Sequence, residues 1–546
     1  MLDRVEVYRG NAPRFADRLG IGGAVFFEPK LPKRTRFGVG QSAGSFGGLS
    51  SWIAGTVAAK NASSLVAFRR FTANNDYPFR NDGGTRFSES DDFDTKRRNA
   101  DHTTYDAWAI GRQHLAPGSD LTFVASVFDR EQGVTGLSII PARKARGRVR
   151  RFLSGLSARV PCQKSELGEA DGPCQLSISS AMVAAHTQIH DPLGELSLQS
   201  SQISTDAVRF TQRAALRYRV RDVHELSVHA SQASEQLRVE PAGGSAGLRA
   251  QRNTSRLTAS LTYRPLPKLG LHAIAAIECH TTNGPTGNAT AWGKLEPSGR
   301  LGVRVQALAW LTLLANAGRY IRPPTLGELY GTSAIVRGNA DLIVESGSSV
   351  DLGIRATRRG NRLNNLAAYL EIFAFNRWVS NLIAFQRSSF GVIRPFNVGT
   401  GRIAGLELAA GALWLNHIKT ELNTTLLDPR DRTAGRSVGN DLLPFRSRFT
   451  ASQGLEVFTQ PTSHPIIKRA SLGTRLTHRS SRFADPAGLI VIKDHTTLDF
   501  ELSAHFVDKS VAARLALRNA LNEAHFDTVG YPLPGRSYYG SIEAWF

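Results

Sequence analysis

The chain has 546 residues and carries 67 Lys and Arg against 46 Asp and Glu, a formal charge of +21 and a pI near 10.4. It contains no run of about 18 apolar residues, which excludes a membrane-spanning helix; a membrane-spanning barrel, built from alternating segments of about ten residues, is not excluded. The charge alone does not indicate nucleic acid. Basic residues are spread along the whole chain, with only short clusters such as Arg143–Arg151, and no basic helix, zinc-finger spacing or RNP-like aromatic motif accompanies them.

The first thirty residues are rich in glycine. Val5 and Val7 before Gly10 suit a short strand running into a turn, and Gly20, Gly22 and Gly23 mark a tight loop feeding a strand from Ala24 to Phe27. A phosphate loop does not fit, because no G-K-[ST] follows and no helix opens there. Met1-Leu2-Asp3-Arg4-Val5 lacks the basic and apolar regions of a secretory signal, which read literally means a cytoplasmic start.

From about Arg34 the pattern becomes repeated strands and polar loops. Thr56 to Phe68 alternates loosely, Asn74 to Asp101 reads as a long polar loop, and Leu121 to Phe128 reads as a strand. Glu131–Gly136 opens a second long loop, expected to run through Arg143–Arg151 to Cys162 and Cys174. Cleaner strands follow. Leu216, Tyr218 and Val220 alternate with Arg217, Arg219 and Arg221; Leu257, Ala259, Leu261 and Tyr263 alternate with Thr258, Ser260, Thr262 and Arg264. Leu301 to Trp310, Leu498 to Phe506 and Val511 to Arg518 repeat the pattern. More than 500 residues of strand without a helical stretch is unusual for a sandwich and natural for a large barrel.

Four stretches resemble the TonB-dependent outer-membrane receptors. Asp3–Gly10 with Gly20–Val25 is similar to the end of that family's plug domain, although Phe26-Phe27-Glu28-Pro29-Lys30 departs from its "N-I-x-T-K". Gly318–Gly331 and Gly338–Ser346 resemble "F-R-x-P-T-x-x-E-L-Y-G … G-N-P-D-L-x-P-E-x-S", with Ala340 and Val344 where the family has Pro. Asn397–Leu408 resembles "N-x-G-x-x-R-x-x-G-x-E-x", and Arg518–Glu523 resembles "V-x-N-L-x-N/D-E". The last strand ends the chain on Phe546, with Tyr538, Gly540, Ile542 and Ala544 at alternate positions before it. It resembles the closing and assembly signal of outer-membrane barrels. Its partner is expected within Arg34–Gly44.

The resemblance implies an all-β, transmembrane antiparallel β-barrel of about 22 strands over residues 34–546, with a truncated plug remnant at 1–33. It implies a monomer in the cell outer membrane of a Gram-negative cell, inserted by the barrel-assembly machinery and touching lipid and lipopolysaccharide. The implied function is uptake of a metal chelate, most often a ferric siderophore and sometimes cobalamin. The chain shows no TonB box, so coupling to the inner-membrane TonB complex is expected only if a longer N-terminus exists. The alternative readings are a plugless passive pore and a basic nucleic-acid-binding β protein.

Short turns are expected on the periplasmic side and long loops outside. With Phe506–Val511 as a short turn, 479–495 and 519–536 become external, and Arg319–Glu345 lies at the outer mouth. There the resemblance points to Arg322, Tyr330, Arg337, His525, Tyr531 and Arg536 as ligand-binding residues, against a plainer role in loop packing. Cys162 and Cys174, with eleven residues between them and in an oxidising compartment, are expected to form a disulfide, in preference to a zinc site. Cys279 reads as a free loop thiol, with metal ligation as the alternative. No H-E-x-x-H or G-x-S-x-G motif supports catalysis, and no cofactor or bound metal is expected.

Overall fold

Period-2 alternation of this length must bury one face, expose the other, and leave no unpaired edge. A computed structural model shows how the chain meets all three demands. It describes residues 2–8, 24–29, 31–85, 89–162, 173–196, 200–220, 223–241, 247–284, 295–333, 336–360, 365–387, 392–435, 439–459, 464, 466–507 and 510–546. Twenty-two antiparallel strands form one closed barrel, from Arg36–Gly44 round to Ser537–Trp545. These two end strands pair with each other, Gly38 opposite Trp545 through Gly44 opposite Tyr539. Phe546 continues the seam: its backbone N–H donates to Phe37 O at 2.8 Å, and Phe37 N–H donates back at 3.1 Å.

The apolar residues of the alternation point outward. Leu257 lies opposite Ile277, and Val303 lies opposite Ala315, which lies opposite Leu352. Leu257, Leu301 and Leu352 are each more than half exposed (53%, 65% and 59%), and so is Ile542 at 56%. In water each such side chain forgoes about 2 kcal/mol of burial. A belt of them round the whole wall suits hydrocarbon, as a contiguous apolar band on a barrel exterior should. The inward series is polar: Thr254, Arg256, Thr258 and Ser260 on Leu248–Leu266 face Glu278 and His280 on Leu269–Asn283. On the last strand Ile542 and Tyr538 lie outward, and Glu543 lies inward within 4.0 Å of Arg514.

The total accessible surface is 30448 Å². A compact globular monomer of this mass would expose about 19,000 Å². A wall bathed on both faces accounts for the excess, so the described residues leave lumen accessible.

The connections alternate in length. One end carries 74–101, 134–145, 323–344, 432–448, 480–494 and 519–536; the other carries mostly turns such as 117–118, 267–268 and 309–310. The strand Leu2–Tyr8 pairs antiparallel with Ala24–Pro29 as a separate two-stranded sheet. Gly10, Gly20, Gly22 and Gly23 lie outside the described residues, as does Arg221.

Several sequence expectations are corrected. Thr56–Phe68 is not one strand but parts of two, Gly48–Ala58 and Ala62–Ala73. The basic cluster is not wholly loop: Arg146–Pro161 is a barrel strand, in which Arg146 donates from one nitrogen to both oxygens of Asp101 and Arg148 pairs bidentately with Asp129. The connection between Cys162 and Cys174 therefore falls at the short-turn end, away from the large loops. Cys279 is not in a loop; it lies in Leu269–Asn283 on the outward parity, between two buried inward residues. Among the described residues there is also one helix, the five-residue Leu326–Tyr330.

Candidate functional site

The longest structured connections converge on one mouth of the barrel. The segment 323–344 follows directly from the strand Leu311–Arg322. Pro323 and Pro324 end that strand, and Thr325 then caps the helix Leu326–Tyr330. The Thr325 hydroxyl accepts from Glu328 N–H at 3.2 Å, and the Glu328 carboxylate accepts from Thr325 N–H at 2.7 Å. This is a capping box, and T-x-x-E is its sequence signature. Gly331 ends the helix at φ 80°, where a side chain would be strained.

Arg322 completes the clamp. Its guanidinium donates to Glu328 at 2.5 Å and lies 3.9 Å from Glu345. Glu345 accepts in turn from the Tyr320 hydroxyl at 3.3 Å and from Ile383 N–H at 2.9 Å. The segment is tied to the wall on both sides. Arg252 donates to Pro324 O at 2.5 Å and to Thr282 at 3.0 Å; Thr205 donates to Thr332 O at 2.7 Å. On the other side Asn339 donates to Pro395 O at 3.0 Å, and Asn397 bonds both Ile343 N–H and Ile343 O. Leu326 packs with Leu237 and Ala250, and Leu329 packs with Leu342 and Ile383. The segment thus folds over the inner wall of the barrel.

Tyr330 packs into both apolar clusters, and burial pushes its hydroxyl above the usual tyrosine range. Arg337 is exposed, while its backbone N–H donates to Ile393 O at 3.0 Å.

A second group of loops meets across the mouth. Tyr77 donates to Pro532 O at 2.6 Å, Ser138 N–H to Gly530 O at 2.8 Å, and Asn81 to Ser138 O at 3.0 Å. Arg97, buried to 5% exposure, donates to Gly136 O at 2.9 Å and to Thr135, and lies 5.4 Å over the Tyr531 ring. Burial raises the Tyr77 hydroxyl and lowers the Arg97 guanidinium from their ordinary values. The His525 ring lies tilted, 5.1 Å from that of His495, and Arg536 donates to Ala520 O at 3.0 Å.

The six residues singled out from the sequence therefore lie at one end, in two sets. Arg322, Tyr330 and Arg337 belong to 323–344 and its root; His525, Tyr531 and Arg536 belong to 519–536. Five of them have side-chain partners within the protein: Arg322, Tyr330, His525, Tyr531 and Arg536. Glu328, Glu345, Tyr320 and Arg252, which organise the mouth, were not singled out. Only the capping box among them had a sequence signal. The remaining contacts join residues up to 72 positions apart. The motif at Arg518–Glu523 is likewise a turn: Asn519, at φ 47°, accepts from Glu523 N–H at 2.9 Å and donates to Glu523 O at 2.8 Å.

Cys162 and Cys174 are joined by a disulfide with Cα atoms 5.2 Å apart, at the opposite end of the barrel. Among the described residues no group of three or more His, Cys, Asp or Glu is placed to hold a metal, and no helix is long and apolar enough to cross a membrane.

A family model described as "TonB dependent receptor-like, beta-barrel" matches residues 233–520, just over half of the chain. Solved structures share the fold. One titled "Copper transporter OprC" superposes with a TM-score of 0.78 at 14% identity, covering 100% of this chain and 86% of that one. The siderophore receptor PiuA from Acinetobacter baumannii gives 0.75 at 13% identity, with 100% and 86% coverage. The ferric yersiniabactin uptake receptor FyuA from Yersinia pestis gives 0.73 at 14%, with 99% and 85% coverage. No curated protein sequence matches.

Proposed function

The chain belongs to the TonB-dependent receptor-like β-barrel family, and from that premise we propose that it is an outer-membrane receptor that takes up a metal chelate. A barrel of this type implies the outer membrane, here that of a Gram-negative cell. The observation that carries the reading is the mouth itself. A segment rooted on Arg322–Glu328–Glu345 folds over the inner wall, and a second loop cluster faces it, as a receptor needs to hold a bulky cargo above a wide lumen. The similar structures named for copper, siderophore and yersiniabactin uptake agree with a metal complex as cargo.

The glycine-rich start, residues 1–33, then acts as part of a plug. Exposed Arg337 and Arg536 are the side chains best placed to meet the cargo. Growth of a deletion strain on single iron, copper or cobalamin sources tests the reading. Loss of growth on one source, restored by the gene, supports it; unchanged growth and uptake on all of them refutes it. A second reading, a passive pore, is favoured by the large accessible surface of the wall. Steady single-channel conductance of the refolded chain would favour that reading over a gated receptor.

A further inference from the structure

The neighbouring strands Leu295–Leu308, Leu311–Arg322, Glu345–Arg358 and Leu366–Arg387 carry a hollow on their outer face that uptake does not use. Register fixes its wall rung by rung. Val303 lies opposite Ala315, which lies opposite Leu352, which lies opposite Ala374. The next rung toward the short turns is Val305, Leu313, Ile354 and Ile372. The two rungs border a cavity of about 400 Å³ on the lipid side of the wall. Ala315 and Ala374 are short between longer neighbours, so the apolar surface is recessed there.

The hollow continues to the rim. Ala356 lies opposite Leu370, and Arg358 opposite Ala368. There a second cavity, of about 800 Å³, opens between Trp310, Ala356, Arg358, Arg359 and Leu370. Trp310 sits in the tight turn 309–310 and is 53% exposed; its carbonyl accepts from Thr357 N–H at 2.8 Å, which holds the turn beside Arg358. Both arginines are exposed. Among the described residues no acid lines either cavity. The nearby acid, Glu371, faces the lumen, where Arg355 lies 2.7 Å from it. Leu352 to Arg358 is six residues, about 20 Å along the strand. At a strand tilt of about 40° that is about 15 Å along the membrane normal, half of a hydrocarbon core about 30 Å thick. The hollow thus has the depth of one leaflet, an apolar bed, and at its rim an amphipathic indole and two cations. Guanidinium forks match phosphate oxygens, and an exposed indole belongs at the headgroup level. A zwitterionic headgroup would bring an ammonium against the two guanidiniums; an anionic one would not.

We propose that this hollow binds one anionic phospholipid of the leaflet at the short-turn end, with its phosphate held by Arg358 and Arg359 beside Trp310 and an acyl chain lying along Leu370, Ile354 and Leu352. The site rests on the outer-membrane reading of the barrel. It does not depend on what the lumen carries.

The full chain, refolded in neutral detergent, is mixed with equimolar phosphatidylglycerol and phosphatidylcholine of the same acyl chains, and retained lipid is counted by native mass spectrometry. One phosphatidylglycerol should be retained, in preference to phosphatidylcholine by about 30-fold, the factor that two basic side chains near an anionic lipid surface are worth. R358Q/R359Q should bring the preference close to one. A374F, which fills the apolar hollow, should lower retention of both lipids. R264Q/K268Q removes the same charge from the neighbouring turn and should leave the preference intact. Unaltered heat-modifiable mobility checks that every variant still forms the barrel. Equal retention of the two lipids by the unmodified chain, a preference that survives in R358Q/R359Q, unchanged retention in A374F, or an equal loss in R264Q/K268Q overturns the site. Displacement of the lipid by glycerol 3-phosphate at equal concentration also overturns it, because a phosphate site would then owe nothing to the apolar bed. A chain that supports metal uptake in cells but shows no lipid preference overturns the site and leaves the receptor reading standing. Lipid preference without uptake does the reverse.

Discussion

Replacing Glu328 by alanine should loosen the mouth without opening the barrel. The side chain makes two bonds in one place: it accepts from Thr325 N–H at 2.7 Å, and it receives the Arg322 guanidinium at 2.5 Å. Losing the reciprocal cap costs about 1 kcal/mol. Losing a charge-assisted bond to a buried carboxylate costs about 1.5–3 kcal/mol, and the lower figure applies because the Arg322 side chain is 38% exposed. Together the local cost is about 2–3 kcal/mol. At 1.4 kcal/mol per tenfold, that is a rise of about 30- to 100-fold in the opening of the segment around Leu326–Tyr330. Hydrogen exchange followed by mass spectrometry should show that loss of protection in peptides covering 323–344. The flanking strands Leu311–Arg322 and Glu345–Arg358, held by a twelve-pair ladder, should keep theirs. Unchanged exchange in 323–344, or a fall in the melting temperature of the whole barrel, would refute the reasoning that this clamp is local and Glu328-dependent.

Placing arginine at Leu301, 65% exposed on the outer wall, should cost about 2–4 kcal/mol in bilayers, whereas Arg304→Leu on the inner face of the same strand should cost under about 1 kcal/mol; urea unfolding in liposomes reads both. Tyr77 should release its loop at alkaline pH. Its hydroxyl titrates above the ordinary value in the folded protein, so the folded state holds the proton longer than the unfolded chain. The contribution to stability is then complete below about pH 10 and is lost as pH rises through the folded pKa. Tyrosine absorbance together with proteolysis of 74–101 should show the two events coinciding, and Tyr77→Phe should abolish the coincidence. Cys162→Ser should leave Cys174 open to a water-soluble maleimide added from the short-turn side, while the unmodified chain stays unlabelled there until reduced.

The barrel was legible because its signal is local. Whether Leu257 or Thr258 faces lipid is decided by parity alone, and every strand repeats the decision, so twenty-two weak signals add. The seam was legible for the same reason: Phe546 and its alternate neighbours demand a partner of matching period. Parity does not fix where a strand begins once charges enter the pattern. The run from Arg143 to Arg151 reads as a polar loop until Asp101 and Asp129, far away in sequence, supply its partners. Cys279 was placed in a loop because Glu278, His280 and the threonines beyond are polar; they are polar because they face a lumen, where Glu278 meets Arg256 at 3.0 Å and His280 at 2.7 Å. At the mouth, motif positions were visible and their roles were not. Arg322 was singled out as a ligand-binding side chain, but its contacts to Glu328 and Glu345 make it a fastening for the segment that follows.

The seam also bears on how the mouth should be read. Its ladder runs only from Gly38–Trp545 to Gly44–Tyr539, whereas the Leu366–Arg387 and Ile393–Trp414 pair is continuous along almost all of both strands. A short ladder is the weak line of a closed wall, and the chain reinforces it at each end. At the short-turn end, Phe546 and Phe37 exchange backbone bonds, and inward Trp545 packs against Trp52 with Arg36 5.3 Å over its ring. At the loop-rich end, Ser45 N–H donates to Tyr538 O at 2.8 Å, and Tyr538 N–H donates to the Ser45 hydroxyl at 2.9 Å. Above that, Phe46 lies edge-on to Tyr77 at 5.7 Å, and Tyr77 reaches across to Pro532. The loops beside the seam are therefore part of its closure. Tyr531, held under Arg97, and the Tyr77 loop cannot swing to admit a cargo without loosening a short ladder of the wall. Ligand-driven movement should fall on residues outside both fastenings, which leaves exposed Arg337, held through its backbone N–H, as the side chain whose substitution should alter binding while the barrel and its loops stay in place.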